Sequence, residues 1–97
     1  MVRLDKDRPA LIISSDFLNR HALDVCVVPL TSRERPKFSL RIAIPRGEGG
    51  LTRDSWAKCD QVTTLEKPAI RFPPLGRVSR ATISRVALAI KIALDLP

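Results

Sequence analysis

An arginine stands immediately before a proline at Arg8-Pro9, and a threonine follows another proline by two residues at Pro29-Leu30-Thr31. A guanidinium is planar and matches phosphate oxygens two at a time. The residue before a proline is held in an extended backbone, so Arg8 is either a phosphate clamp of fixed position or one half of an ion pair. Thr31 closes an apolar run, where its hydroxyl is either held as a donor or starts a turn. Lys58 and Asp60 flank Cys59, and on a strand that spacing puts both charges on one face. Such a pair can shift each partner's ionisation and serve proton transfer, or it can be a solvated salt bridge. Capture of an anion with an acid–base pair beside it is the chemistry these residue types allow.

Other chemistries find less support. Cys26 and Cys59 with His21 are too few for a structural zinc site and make no disulfide framework. Both cysteines lie in apolar-alternating stretches and read as buried free thiols, and His21 reads as a surface residue. Gly47-Glu48-Gly49-Gly50 lacks the Lys-Ser/Thr and the helix of a nucleotide loop and reads as a turn. Trp56 and Phe38 could stack on bases, although their alternation assigns them to the core.

The formal charge of +7 is concentrated. Arg33, Arg35, Lys37, Arg41 and Arg46 face Glu34 alone, and Lys67, Arg71, Arg77, Arg80, Arg85 and Lys91 face Asp95 alone. A compact domain with that excess attracts polyanions, either nucleic acid or an acidic protein. Charged residues 3 and 5–8 stand where a signal peptide would be apolar, and no apolar run approaches a membrane span. The expected location is the cytoplasm.

The elements that must position these residues are mostly strands. Ala10–Ile13 and Val25–Leu30 are short apolar runs of buried-strand type, joined by a turn or single helical turn capped by Ser15 or Asp16. Phe38, Leu40, Ile42 and Ile44 alternate with polar or small residues up to Pro45. Ser55–Thr63 is expected as a fourth strand and Lys67–Phe72 as a fifth, closed by Pro73-Pro74. This many strands in 97 residues implies one domain, folded as a small barrel or a strongly bent sheet. From Ser79, a candidate N-cap, Ile83, Val86, Ala87, Ile90 and Leu94 form a helical stripe. Leu88 and Ile92 widen it beyond what packing on one sheet needs, which points to a subunit interface.

Four segments in order, Arg8-Pro9-Ala10-Leu11-Ile12-Ile13-Ser14, Val27-Val28-Pro29-Leu30-Thr31-Ser32, Lys58-Cys59-Asp60-Gln61 and Leu75-Gly76-Arg77-Val78-Ser79, resemble the MazF/PemK (Kid-like) family of toxins. The resemblance implies a mainly β, SH3-like barrel of the CcdB/PemK/MazF type with a C-terminal helix. It implies a sequence-specific, ribosome-independent, metal-free endoribonuclease acting on single-stranded RNA. Attack by the 2′-hydroxyl would leave a 2′,3′-cyclic phosphate. Arg8, Thr31 and Asp60 take the catalytic positions, and Arg33, Arg35, Lys58 and Gln61 are expected on the RNA. No cofactor and no metal are expected. An acidic antitoxin and a second copy of the chain are the implied partners.

The chain departs from the pattern in three places. Lys58 replaces an arginine and leaves a point charge where a bidentate fork stood. Thr63 stands where many members carry another arginine, a contact that Arg33 or Arg35 could supply. Val2-Arg3-Leu4-Asp5 resembles only the tail of the family's first strand, so either Met1 is not the natural start or half an edge strand is lost. Two other readings therefore stand beside the nuclease. One is a toxin of the same fold that binds a protein such as gyrase, and the other is an RNA-binding module that has lost catalysis.

Overall fold

Asp24–Thr31 is the longest strand among the described residues and forms the centre of the sheet, β3. Its β-branched residues at 25, 27 and 28 suit a pleated backbone. The protein is described here by a computed structural model, which covers residues 1–4, 8–33, 40–71 and 74–97. Around β3 lie β1 (Val2–Leu4), β2 (Pro9–Ile12), β4 (Arg41–Ile44), β5 (Ser55–Lys58), β6 (Thr63–Glu66) and β7 (Ile70–Arg71). They make one seven-stranded antiparallel sheet in the order β4-β5-β3-β2-β1-β7, with β6 also paired to β3.

Successive side chains on a strand point to opposite faces, and β2 and β3 use both. Leu11, Val28 and Leu30 enter a core with Ile44, Ala57, Cys59, Val86 and Ala89. Ala10, Val25 and Val27 enter a second with Val2 and Ile70. Pro29 interrupts β3 at a telling point. One edge of β3 pairs with β2, while the other pairs with β6 over Asp24–Val27 and with β5 over Leu30–Thr31. Val28 and Pro29 fall in the gap, where a residue without an N–H costs the ladder least.

Two expectations are corrected here. Ser55–Thr63 is not one strand: a turn closed by the Gln61 amide donating to the Lys58 carbonyl at 2.9 Å separates β5 from β6. Cys59 and Val62 both turn inward around that corner, so the apolar pattern runs through it unbroken. The fifth strand is also shorter, because Lys67–Ala69 forms a 3₁₀ turn and only Ile70 and Arg71 pair; Phe72 and Pro73 lie outside the described residues. The mainly β architecture with a C-terminal helix is as expected, and among the described residues the bent sheet stays open, with β4 and the two-residue β7 at its ends.

β4 begins at Arg41, and Phe38 lies outside the described residues. β1 pairs with β2 through Val2 and Arg3 and with β7 through Arg3 and Leu4. Helix α1 (Asp16–His21) is the expected short turn, with the Ser15 hydroxyl accepting the Leu18 amide as its N-cap. The Phe17 and His21 rings pack along it with centroids 4.8 Å apart and planes tilted by 46°. Among the described residues, no helix is long and apolar enough to cross a membrane.

Helix α2 (Arg80–Ala93) starts where the sequence places it, with the Ser79 hydroxyl accepting the Thr82 amide. Its buried face differs from the expected stripe. Thr82, Val86 and Ala89 face the sheet, whereas Ile83, Ala87 and Leu94 are exposed. Small residues at 82 and 89 let the helix approach the sheet closely, so the bulkier ones turn out. Thr82 also lacks the carboxylate of a capping box, and Glu48 supplies it from a distant loop. One Glu48 oxygen accepts from the Ser79 amide at 2.9 Å and from the Thr82 hydroxyl at 2.6 Å.

The loop carrying Glu48 is docked by glycine. Gly50 has φ +80, and a Cβ there would stand 2.2 Å from the Leu75 carbonyl oxygen. Met1 joins the same clasp, its amine donating to the Gly76 carbonyl at 2.9 Å and its carbonyl accepting the Leu75 amide at 2.7 Å. The Leu75–Ser79 segment is therefore a structural fastening of loop, terminus and helix.

Candidate active site

The end of β3 sets the geometry. Ala10 lies opposite Pro29, the last pair of the β2–β3 ladder, and just past it the chain reaches Arg8 on one side and Thr31 on the other. Across the other edge Thr31 pairs with Trp56. Pro29 and Thr31 point to the face that Val27 leaves at the second core, and there the packing gives way to an open cleft. Its volume is about 730 Å³, with Pro9, Pro29, Leu30 and Leu51 among its walls. Arg8, Thr31 and Lys58 all line it.

The cleft's electrostatics are one-sided. Arg8, Arg53 and Lys58 contribute cationic heads, Thr31, Ser32, Thr52 and Ser55 contribute hydroxyls, and no carboxylate is among the described residues lining it. None of the three cations makes a hydrogen bond or ion pair with another side chain among the described residues. Thr31 is held: its hydroxyl oxygen accepts the Arg33 amide at 3.2 Å. This small turn leaves the hydroxyl proton free to donate outward. A fixed donor beside unpaired guanidinium groups can receive the oxygens of a phosphodiester.

Arg53 and Thr52 escape the sequence reading because they sit in a loop between β4 and β5, where a charge looks like solvated surface. The loop is nevertheless fixed. Leu51 is buried and its carbonyl accepts the Gly47 amide at 2.9 Å; the Asp54 carboxylate accepts the Arg46 amide at 2.8 Å; the Ser55 hydroxyl donates to the Arg53 carbonyl at 3.1 Å.

The remaining expected residues are more scattered. Asp60 and Gln61 are exposed on the turn after β5 and are not among the residues lining the cleft, although the turn begins at Lys58. Lys58 and Asp60 do not share a strand face, because β5 stops at Lys58. Arg33 is exposed two residues beyond the end of β3, and Arg35 lies outside the described residues. Burial, helped by the neighbouring Asp60 charge, pushes the Cys59 thiol up to about 11. Trp56 does not join the core: Ser55 and Ala57 are the buried residues of β5, and Trp56 shares the other face with Lys58. No group of three or more potential metal ligands occurs among the described residues.

The chain is similar to known proteins over nearly its whole length. It is 29% identical to the endoribonuclease MazF9 of Mycobacterium tuberculosis over 95% of this chain and 81% of that one. It is 33% identical to the endoribonuclease MazF1 of Mycobacterium bovis over 93% of this chain and 81% of that one. Among solved structures, the Mycobacterium tuberculosis toxin MazF-mt6 superposes with a TM-score of 0.85 at 27% identity, covering 100% of this chain and 95% of that one. A mycobacterial endoribonuclease in complex with its cognate antitoxin superposes at 0.83 with 30% identity, over 99% and 91%. The family model for the PemK-like, MazF-like toxin of type II toxin–antitoxin systems matches residues 3–94. A cationic cleft built at the meeting of the Arg8-Pro9 and Pro29-Leu30-Thr31 segments, on this fold and with these relatives, places the chain in that toxin family.

Proposed function

We propose that this chain is the toxin of a type II pair and cuts single-stranded RNA, ribosome-independently and at short sequences, in the cytoplasm. Residues 1–97 act as a single domain. The observation that carries the reading is the Thr31 hydroxyl, held by the Arg33 amide inside a cleft lined by Arg8, Arg53 and Lys58 and by no carboxylate among the described residues. In the reaction the 2′-oxygen bonds to phosphorus, the bond to the 5′-oxygen breaks, and a 2′,3′-cyclic phosphate and a 5′-hydroxyl result. Arg8 and Thr31 hold the phosphoryl oxygens as charge builds on them. A base takes the 2′ proton and an acid returns one to the leaving oxygen. Of the three carboxylates between residues 45 and 62, Glu48 and Asp54 are engaged by backbone amides. Asp60, which accepts no hydrogen bond among the described residues, is the one free to serve. Gln61 and Lys58 bind the strand beside it, and Arg33 and Arg35 bind it beyond Thr31.

The cationic cleft also suits an acidic antitoxin, as the relative solved with its cognate antitoxin suggests. Leu88 and Ile92, each 60% exposed on α2, are apolar surplus that a second copy would cover.

Mapping the ends left on purified RNA, in EDTA, tests the proposal. New 2′,3′-cyclic phosphate and 5′-hydroxyl ends are expected. Cleavage that stops in EDTA and returns with magnesium would overturn the mechanism, and binding without new ends would leave an RNA-binding module.

A further inference from the structure

Beyond the cleft, the sheet holds an arrangement that folding alone disfavours. Arg41 on β4 lies directly opposite Lys58 on β5. Cross-strand partners project from the same face with their Cβ atoms about 4.5–5.5 Å apart, and like charges so placed repel. Both residues are half-buried, which strengthens the repulsion relative to open water. Neither forms a hydrogen bond or ion pair with another side chain among the described residues. Lys58 already lines the cleft, so Arg41 extends the cationic track by one strand, away from Arg8 and Thr31.

We propose that Arg41 is a substrate-binding residue that, with Lys58, holds a backbone phosphate of the RNA beyond the scissile one. The inference rests on the nuclease reading above. A phosphate between the two heads turns their repulsion into attraction, so the pair costs stability in the free protein and returns it when RNA binds. The run across the sheet is Arg8 and Thr31 at the reacting phosphate, then Lys58 and Arg41 at a neighbouring one.

The test uses the whole chain and a random-sequence, 2′-O-methyl single-stranded RNA pool, which lacks the nucleophile and cannot be cut. Arg41→Gln is expected to melt at or above the wild-type temperature in low salt, with the gap closing in high salt. Its affinity for the pool should fall about fivefold at 0.1 M salt, and the slope of log K against log salt should flatten by about 0.7, the loss of one phosphate contact to a single strand. Arg41→Lys should restore most of the slope, and in Arg41→Gln the KM for unmodified RNA should rise by more than kcat falls.

Unchanged affinity and slope in Arg41→Gln, with a wild type that binds and cuts, would overturn the assignment of Arg41 alone. A wild type without salt-dependent RNA binding would overturn the nuclease reading and Arg41's role together. A lower melting temperature in Arg41→Gln at low salt would make the residue structural. A kcat that falls by more than KM rises would move it into the reaction. Loss of polyglutamate binding with RNA affinity intact would give the track to an acidic protein.

Discussion

The two faces of β3 begin alike and end differently. On one face Cys26, Val28 and Leu30 continue the alternation to the strand's end, and Val28 and Leu30 are covered by the core that α2 closes. On the other, Val25 and Val27 are buried, but Pro29 and Thr31 emerge into the cleft. A single strand thus supplies a packed face for stability and, over its last three residues, a face open to the cleft. Mutations on the two faces should therefore separate stability from activity.

The largest separation is expected between the core under α2 and Arg8. Ile44 is fully buried in that core, and Ile44→Ala should cost about 2–5 kcal/mol, a large share of a small domain's stability. Cleavage per folded molecule should be unchanged, as denaturant melts read beside initial rates will show. The next effect runs the other way. Arg8→Ala should leave melting within about half a kcal/mol and lower cleavage roughly 10²–10³-fold. Thr31→Val should lower cleavage at nearly constant volume, because it removes the held donor. A folded Arg8→Ala protein with normal turnover would erase the distinction between the faces.

The smallest effect lies where the loop of Arg53 meets α2. Hydrogen bonds from the Thr82 hydroxyl and then the Ser79 amide hold the Glu48 carboxyl below the usual carboxylate range. A depressed native value contributes stability that is complete above the unfolded value of about 4.3. That contribution disappears as the pH falls through the lowered native one. Glu48→Gln should therefore melt below wild type at neutral pH and converge with it in acid, measured as Tm against pH. A constant gap would show that shape, and not charge, makes the joint.

Much of this arrangement is legible in the sequence, and its failures are physical. β3 reads cleanly because β-branched residues and a terminal proline mark it, and Arg8 and Thr31 reach one cleft because they flank the same end of two adjacent strands. The corner at Lys58–Gln61 does not read, since Cys59 and Val62 stay apolar through the turn. Trp56 is misplaced because bulk suggests burial, yet at that level the core has room for Ser55 and Ala57. The face of α2 is misread for the same reason: Thr82 and Ala89 win the buried positions by being small. Arg53 belongs to a loop whose position depends on Gly50 meeting Leu75, a contact that no local pattern announces.

Cys59 lies beneath the corner that carries Asp60, fully buried, with its Sγ donating to the Ala57 carbonyl at 3.6 Å. With the thiol pushed up to about 11, almost none of it is thiolate at neutral pH, and the thiolate is the reactive form. Native Cys59 is thus deaf to alkylating reagents twice over, by access and by ionisation. It becomes reactive only in the moments when the corner lifts. Its rate of modification is a gauge of local opening, set by the fold directly under the segment that presents Asp60. The chain's other thiol, the half-buried Cys26, would first have to be silenced for that gauge to be read.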